Sequence, residues 1–185
     1  MHIFEFDLYF SGMFKRGFFV CLCLLLFSQA RAQKFTTEEM FKDYFSKHLD
    51  SLDEIEGVWQ VSTTQEFYRY DTLYDVIHLP KAAKIAVIKK GDKYNSYNLT
   101  GESYDVEFST TGVKGVYFYT INFPETQEHS KTDAVISKAG SMEYKYEFPE
   151  KYLQFKLADT YEVGTFVTNE VKWTKIFPEN AKKKK

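Results

Sequence analysis

The chain has 185 residues, with 24 Lys and Arg against 26 Asp and Glu and a formal net charge of −2. That near balance removes the electrostatic case for a nucleic-acid binder or for a protein held on an anionic membrane surface. Both cysteines, Cys21 and Cys23, fall close to the N-terminus, so the rest of the chain has neither a disulfide staple nor thiolate chemistry.

In chain order, a basic pair, Lys15-Arg16, precedes an apolar run, Gly17–Phe27, and then the small-x-small triplet Ala30-Arg31-Ala32. This is the pattern of a secretory signal peptide over 1–32, with Gln33 as the first mature residue. The run of about eleven residues is too short for a bilayer span of ~20 helical residues. Glu5 and Asp7 are wrong for the basic start of such a signal, so Met13 is the expected true start. No cysteine follows the cleavage site, which excludes a lipid-anchored form. The expected location is across the inner membrane, periplasmic or extracellular. The portion 33–185 carries 21 basic against 24 acidic side chains and is long enough for one domain with a core.

Residues 36–50, within an N-terminal segment 33–51, read as an amphipathic helix. Thr36 and Glu39 form a capping box, and Met40, Phe41, Tyr44, Phe45 and Leu49 share one face. The helix is expected to be an end-cap or lid on the β domain. From Gly57 to Phe177 the pattern is β, with strands expected at 57–70, 83–90, 93–99, 103–111, 114–123, 133–138, 141–148, 151–158 and 165–177. Glycine turns at Gly91, Gly101 and Gly140 join them as close hairpins. The expected fold is all-β: an antiparallel up-and-down meander over 52–178, closed into a barrel of eight to ten strands, with a β-sandwich as the other arrangement. The lysine-rich stretch 179–185 reads as a solubilising tail.

Alternation assigns the faces. Tyr104, Val106 and Phe108 alternate with polar residues, as do Met142, Tyr144, Tyr146 and Phe148, and Leu153, Phe155 and Leu157. Strand 114–123 is apolar on both faces, and the N-terminal helix is the expected cover for its outer side. The first strand is long enough that it must bend.

The stretch Gly57-Val58-Trp59, after a short helical signal, resembles the Gly-x-Trp motif of the lipocalins and the wider calycin group. The resemblance implies a lipocalin-like barrel that holds a small apolar ligand, with Trp59 plugging one end. It also implies a basic side chain from the last strand, Lys172 or Lys175, lying across the indole. The wording Glu56-Gly57-Val58-Trp59 and Lys114-Gly115-Val116-Tyr117-Phe118-Tyr119 is similar to that of uncharacterised secreted proteins of Bacteroidetes-type bacteria, which implies an extracytoplasmic barrel.

Chemistry is sparse. His48, His78 and His129 stand apart, with no metal-ligand spacing, and no nucleophile elbow or phosphate-binding glycine loop occurs. No enzyme activity, metal or cofactor is expected. The carboxylate pairs Asp53/Glu56 and Glu143/Glu147 are the nearest approach to an acid–base pair. Tyrosines are the more informative residues. Tyr97, Tyr104, Tyr144 and Tyr146, with Phe108 and Phe155, are expected to line the lumen and hold a small apolar or amphipathic molecule, hydroxyls fixing its polar end. The alternative is a barrel filled solid by these rings, acting as an envelope or secreted protein-interaction module. Tyr68, Tyr70 and Tyr74 are then the contact candidates.

Overall fold

The computed structural model describes residues 35–179. The expected signal peptide and its start at Met13 lie outside the described residues, as does all of the lysine-rich tail except Glu179.

Eight antiparallel strands succeed one another in sequence order and close into a barrel. They are β1 Gly57–Arg69, β2 Thr72–Lys90, β3 Lys93–Asn98, β4 Ser103–Thr110, β5 Val116–Phe123, β6 Glu128–Ile136, β7 Ser141–Glu147 and β8 Thr165–Phe177. Closure comes from β1 pairing with β8 along their whole length, from Val58 opposite Phe177 to Arg69 opposite Thr165. Among the described residues two α-helices accompany the sheet, α1 Glu38–Lys47 and α2 Glu150–Leu157.

α1 starts where Thr37, not Thr36, accepts the Met40 N–H at 3.3 Å. Glu38 and Glu39 in its first turn and Lys47 in its last suit the helix dipole. Its Phe41 and Phe45 are fully buried against Val58 and Ala86, with Ile88, Tyr97 and Phe177 around them. The helix therefore covers the outside of β1, β2 and β3. It does not cover β5, as the two-sided apolar pattern there had implied. On β5 the outward Phe118 is roofed instead by the Lys131 ammonium, 3.9 Å from the ring centre.

Three strand expectations need correction. β2 begins at Thr72 and β6 at Glu128, earlier than alternation alone indicates, because neither extension carries a fully buried row. The segment 151–158 is not a strand. Pro149 precedes it, Glu, Lys, Leu and Gln dominate it, and Leu153 and Leu157 fall four apart on one helical face. An alternating apolar run this short reads equally well in either period. Losing that strand fixes the count at eight.

Gly57 takes φ +146°, which suits only glycine, and a Cβ there would collide with the Phe177 carbonyl oxygen and meet Lys175 Cε at 2.8 Å. Gly57→Ala is expected to destabilise the barrel by roughly 1–3 kcal/mol in urea unfolding. A change within ~0.5 kcal/mol, the range of an ordinary surface substitution, would contradict this role.

Candidate ligand-binding site

The interior is closed and full at the end where Trp59 sits. The indole is fully buried, and its Nε1 donates to the Ile55 carbonyl at 2.8 Å. Lys175 Nζ lies 5.3 Å from the ring centre and donates to the Glu54 carbonyl at 2.7 Å. Lys172 instead points outward and pairs with Glu143 at 2.6 Å. Trp173 meets Trp59 edge-on at 6.2 Å, and Phe108 meets Trp173 at 5.4 Å. The chain of rings continues through Tyr119 to Tyr144 and Tyr146, then to Phe148 and Tyr152 of the α2 end. Edge-to-face and tilted contacts of this kind stabilise beyond the area they bury.

Toward the other end the packing opens. On β7 the inward row goes from Met142 at 0% exposure to Tyr144 at 6% and Tyr146 at 9%, and on β4 from Phe108 at 1% to Tyr104 at 39%. β1 alternates only as far as Val61; from Ser62 to Arg69 both faces are half-buried. Register places Thr63, Gln65 and Phe67 on the same inward face as Val171, Asn169 and Val167 of β8. On the other flank Leu79 and Ile77 of β2 stand opposite Thr63 and Gln65 and are well exposed. This end is thus less completely filled, with an apolar wall and a floor of tyrosines and amides.

The floor is polar and incompletely satisfied. Asn169 Nδ2 donates to Tyr146 Oη at 2.8 Å, yet Asn169 Oδ1 has no partner. Among the described residues Thr165 Oγ1 and Arg69 Nε are likewise buried without a hydrogen-bond partner, while the Tyr144 hydroxyl lies with Tyr119 and Trp173 in the filled half of the lumen. Asn169, Thr165 and Arg69 stand on the inward rows of β1 and β8, with Arg69 directly opposite Thr165 at the rim. A cavity of about 240 Å³ adjoins that rim between β7, α2 and β8, and its walls include Phe148, Leu153, Tyr161 and Thr165. A second cavity of about 270 Å³ lies at the other end, near Asp53, Glu54, Tyr94 and Tyr117. There the Tyr94 hydroxyl already donates to Asp53 at 2.9 Å, so that site offers less unmet polarity.

Of the lumen candidates, the fold brings Phe108, Tyr144 and Tyr146 together inside the barrel, with Tyr104 at its mouth. Two do not belong. Tyr97 faces outward under α1, because β3 turns Tyr94 and Ser96 inward. Phe155 is 56% exposed on the outer face of α2, a consequence of the helix replacing the expected strand. Asn169, Gln65 and Thr165 carry no signal of their own in the sequence. The alternation of β8 is enough to find two of them, since Thr165 and Asn169 share the phase of Trp173.

The carboxylate pair Asp53/Glu56 has a structural role. Glu56 is buried and accepts the backbone N–H groups of Asp53 and Lys89, both at 3.0 Å, while Asp53 pairs with Lys89 at 2.8 Å. Among the described residues the histidines sit on separate elements, His48 on the Tyr44 carbonyl and His78 on Thr64. No helix of the described residues is long and apolar enough to cross a membrane. Comparison with protein-family models, with curated protein sequences and with solved structures finds no match to this chain.

Burial pushes the Lys175 ammonium down to about 8, with Glu54 and Glu56 opposing. Free lysine titrates near ~10.4, so the unfolded chain binds more protons between these values and stability rises with pH across that window. Burial has the opposite consequence for Tyr117 and Tyr146, whose phenols are pushed up to about 12. Their contribution is complete below the ordinary phenol value of ~10 and is lost as pH climbs through the folded values. The urea midpoint is therefore expected to rise from about pH 8 toward ~10 and then fall. Lys175→Met should remove the rise and keep the fall; a variant that retains the rise would show that Lys175 is not its source.

Proposed function

We propose that this is an extracytoplasmic, lipocalin-like barrel that binds a small amphipathic molecule at its open end. The observation that carries the reading is the group of unpartnered buried polar atoms, Asn169 Oδ1, Thr165 Oγ1 and Arg69 Nε, on the inward rows of β1 and β8 beside an apolar wall. Each such group costs about 1–3 kcal/mol if nothing meets it, so a ligand that supplies partners gains specificity from this face. The apolar part of the ligand rests on Ile77, Leu79, Phe148 and Leu153. Gly57 and Trp59 with Lys175 across the indole reproduce the constellation that the lipocalin resemblance implies, which supports a barrel plugged at one end and loaded at the other. The reading is of a binding protein and involves no catalytic step. The solid-core alternative draws on the filled half of the lumen and on the exposed apolar residues of the β1–β2 hairpin.

Native mass spectrometry of protein secreted by its own host is the direct test. A bound mass in the small-lipid range, lost on denaturation, is the expected result. Asn169→Ala should then weaken binding of the recovered compound by roughly tenfold, as expected for one hydrogen bond of ~1.4 kcal/mol, with the fold retained. A clean apo mass, with no uptake from a lipid extract and none of an apolar dye, would overturn the proposal.

A further inference from the structure

β3 pairs with β2 only from Ile85 to Lys90. Over Thr72–Lys84, β2 therefore has β1 on one side and, among the described residues, no strand on the other. We propose that a second copy of this chain occupies that free edge, giving a two-fold dimer in which the two β2 strands run antiparallel.

The edge is oriented for it. The Val76 N–H points to the free side, where the Asp75 carboxylate caps it at 2.8 Å. Over the regular stretch Asp75–Leu79 the period-two rule turns the His78 backbone in the same direction. Both faces of the strand are apolar and open: Ile77 and Leu79 share the face of Gln65 and Thr63, Leu73 and Val76 that of Tyr68 and Glu66, each 40–50% exposed. Tyr70, at the hairpin tip, is held at φ +48° and is 71% exposed. Edges of this length are normally blunted by proline or lysine. Here Pro80 and Lys81 guard only the part nearest the barrel, and Thr72–Leu79 carries no such guard.

Charge selects the occupant. The free edge is acidic toward its tip, with Asp71 and Asp75, and basic toward its base, with Lys81. A uniformly charged partner would suit one half and be repelled by the other. An antiparallel copy of the same edge sets acidic half against basic half twice. With the axis at His78, Ile77 falls opposite Leu79 of the other copy, and Asp75 faces the segment of Lys81, which stands where the register with β1 slips between Leu79 and Ala83. Among the described residues neither Asp75 nor Lys81 has an ion pair within its own chain. Pro80 falls opposite Val76 and removes one ladder bond from each half, so the pairing rests on the positions flanking it.

Sedimentation velocity across a concentration series tests this on the wild-type chain, Asp75→Lys, Lys81→Asp and an equimolar mixture of the two variants. The wild type is expected to dimerise. Each variant alone sets like charges opposite each other twice and should require roughly tenfold higher loading, or more, to dimerise. The mixture restores both opposite-charge contacts and should recover the dimer. A wild type that stays monomeric throughout overturns the proposal. So does a dimer indifferent to both substitutions, or a mixture no better than either variant.

Discussion

Closing eight strands on themselves removes sheet edges but creates an interior that side chains must fill, and at one end a single indole meets most of that demand. Trp59 is fixed from three directions: its N–H is bound by the Ile55 carbonyl, its face is covered by Lys175, and its edge is met by Trp173. One contact comes from the entry segment and two from β8, so the plug ties the entry segment and the last strand to the first. Gly57 permits the backbone to pass beneath Phe177 at the same point. The plug also sets the position of α1, because the outward neighbour of Trp59 is Val58, and Val58 supplies the floor on which Phe41 and Phe45 pack.

The opposite end obeys the same constraint less fully. Aromatic rings line β7 inward as far as Tyr146, but alongside it β1 and β8 supply Thr63, Gln65, Asn169 and, toward the rim, Thr165, which are too short or too polar to pack across the opening. Buried polar groups normally find partners, and several here have none within the chain. A core selected for stability alone would replace such groups by apolar ones of the same shape at little cost. Their presence on the inward rows of β1 and β8 confines the packing defect to this end. The β1–β2 hairpin extends the wall at this end, and its outer side exposes apolar surface of a different kind, with a free backbone edge.

Much of the fold is legible in the sequence because alternation is unambiguous where one face is buried. Residues 103–110 and 141–147 read as strands in the correct phase, and Gly57 and Trp59 mark the start of the barrel. Legibility fails for specific reasons. Tyr97 looks like an interior tyrosine because its strand alternates tyrosine with asparagine and serine, and nothing local says which face α1 will cover. The segment with Phe155 satisfies both periods, and Pro149 is the only punctuation that favours a helix. The outer half of β2 has no buried row to track, so its pairing with β1 depends on the Tyr70-Asp71 turn, an unusual choice because both residues take positive φ. Within the site, the tyrosines are visible from composition. Asn169, a buried amide among valines, gains its meaning only once β8 closes the barrel against β1.

Thiol labelling in a background with Cys21 and Cys23 replaced by serine tests most directly whether the lumen is plugged at one end and open at the other. Single cysteines at Gln65 on the inward face, at Thr64 on the outward face and at Met142 deep in the plugged half would be reacted with a bulky maleimide under native conditions. Gln65→Cys is expected to react at a rate close to that of Thr64→Cys, while Met142→Cys is protected until the barrel unfolds. Equal protection of the Gln65 and Met142 positions would contradict it and make the barrel solid from end to end.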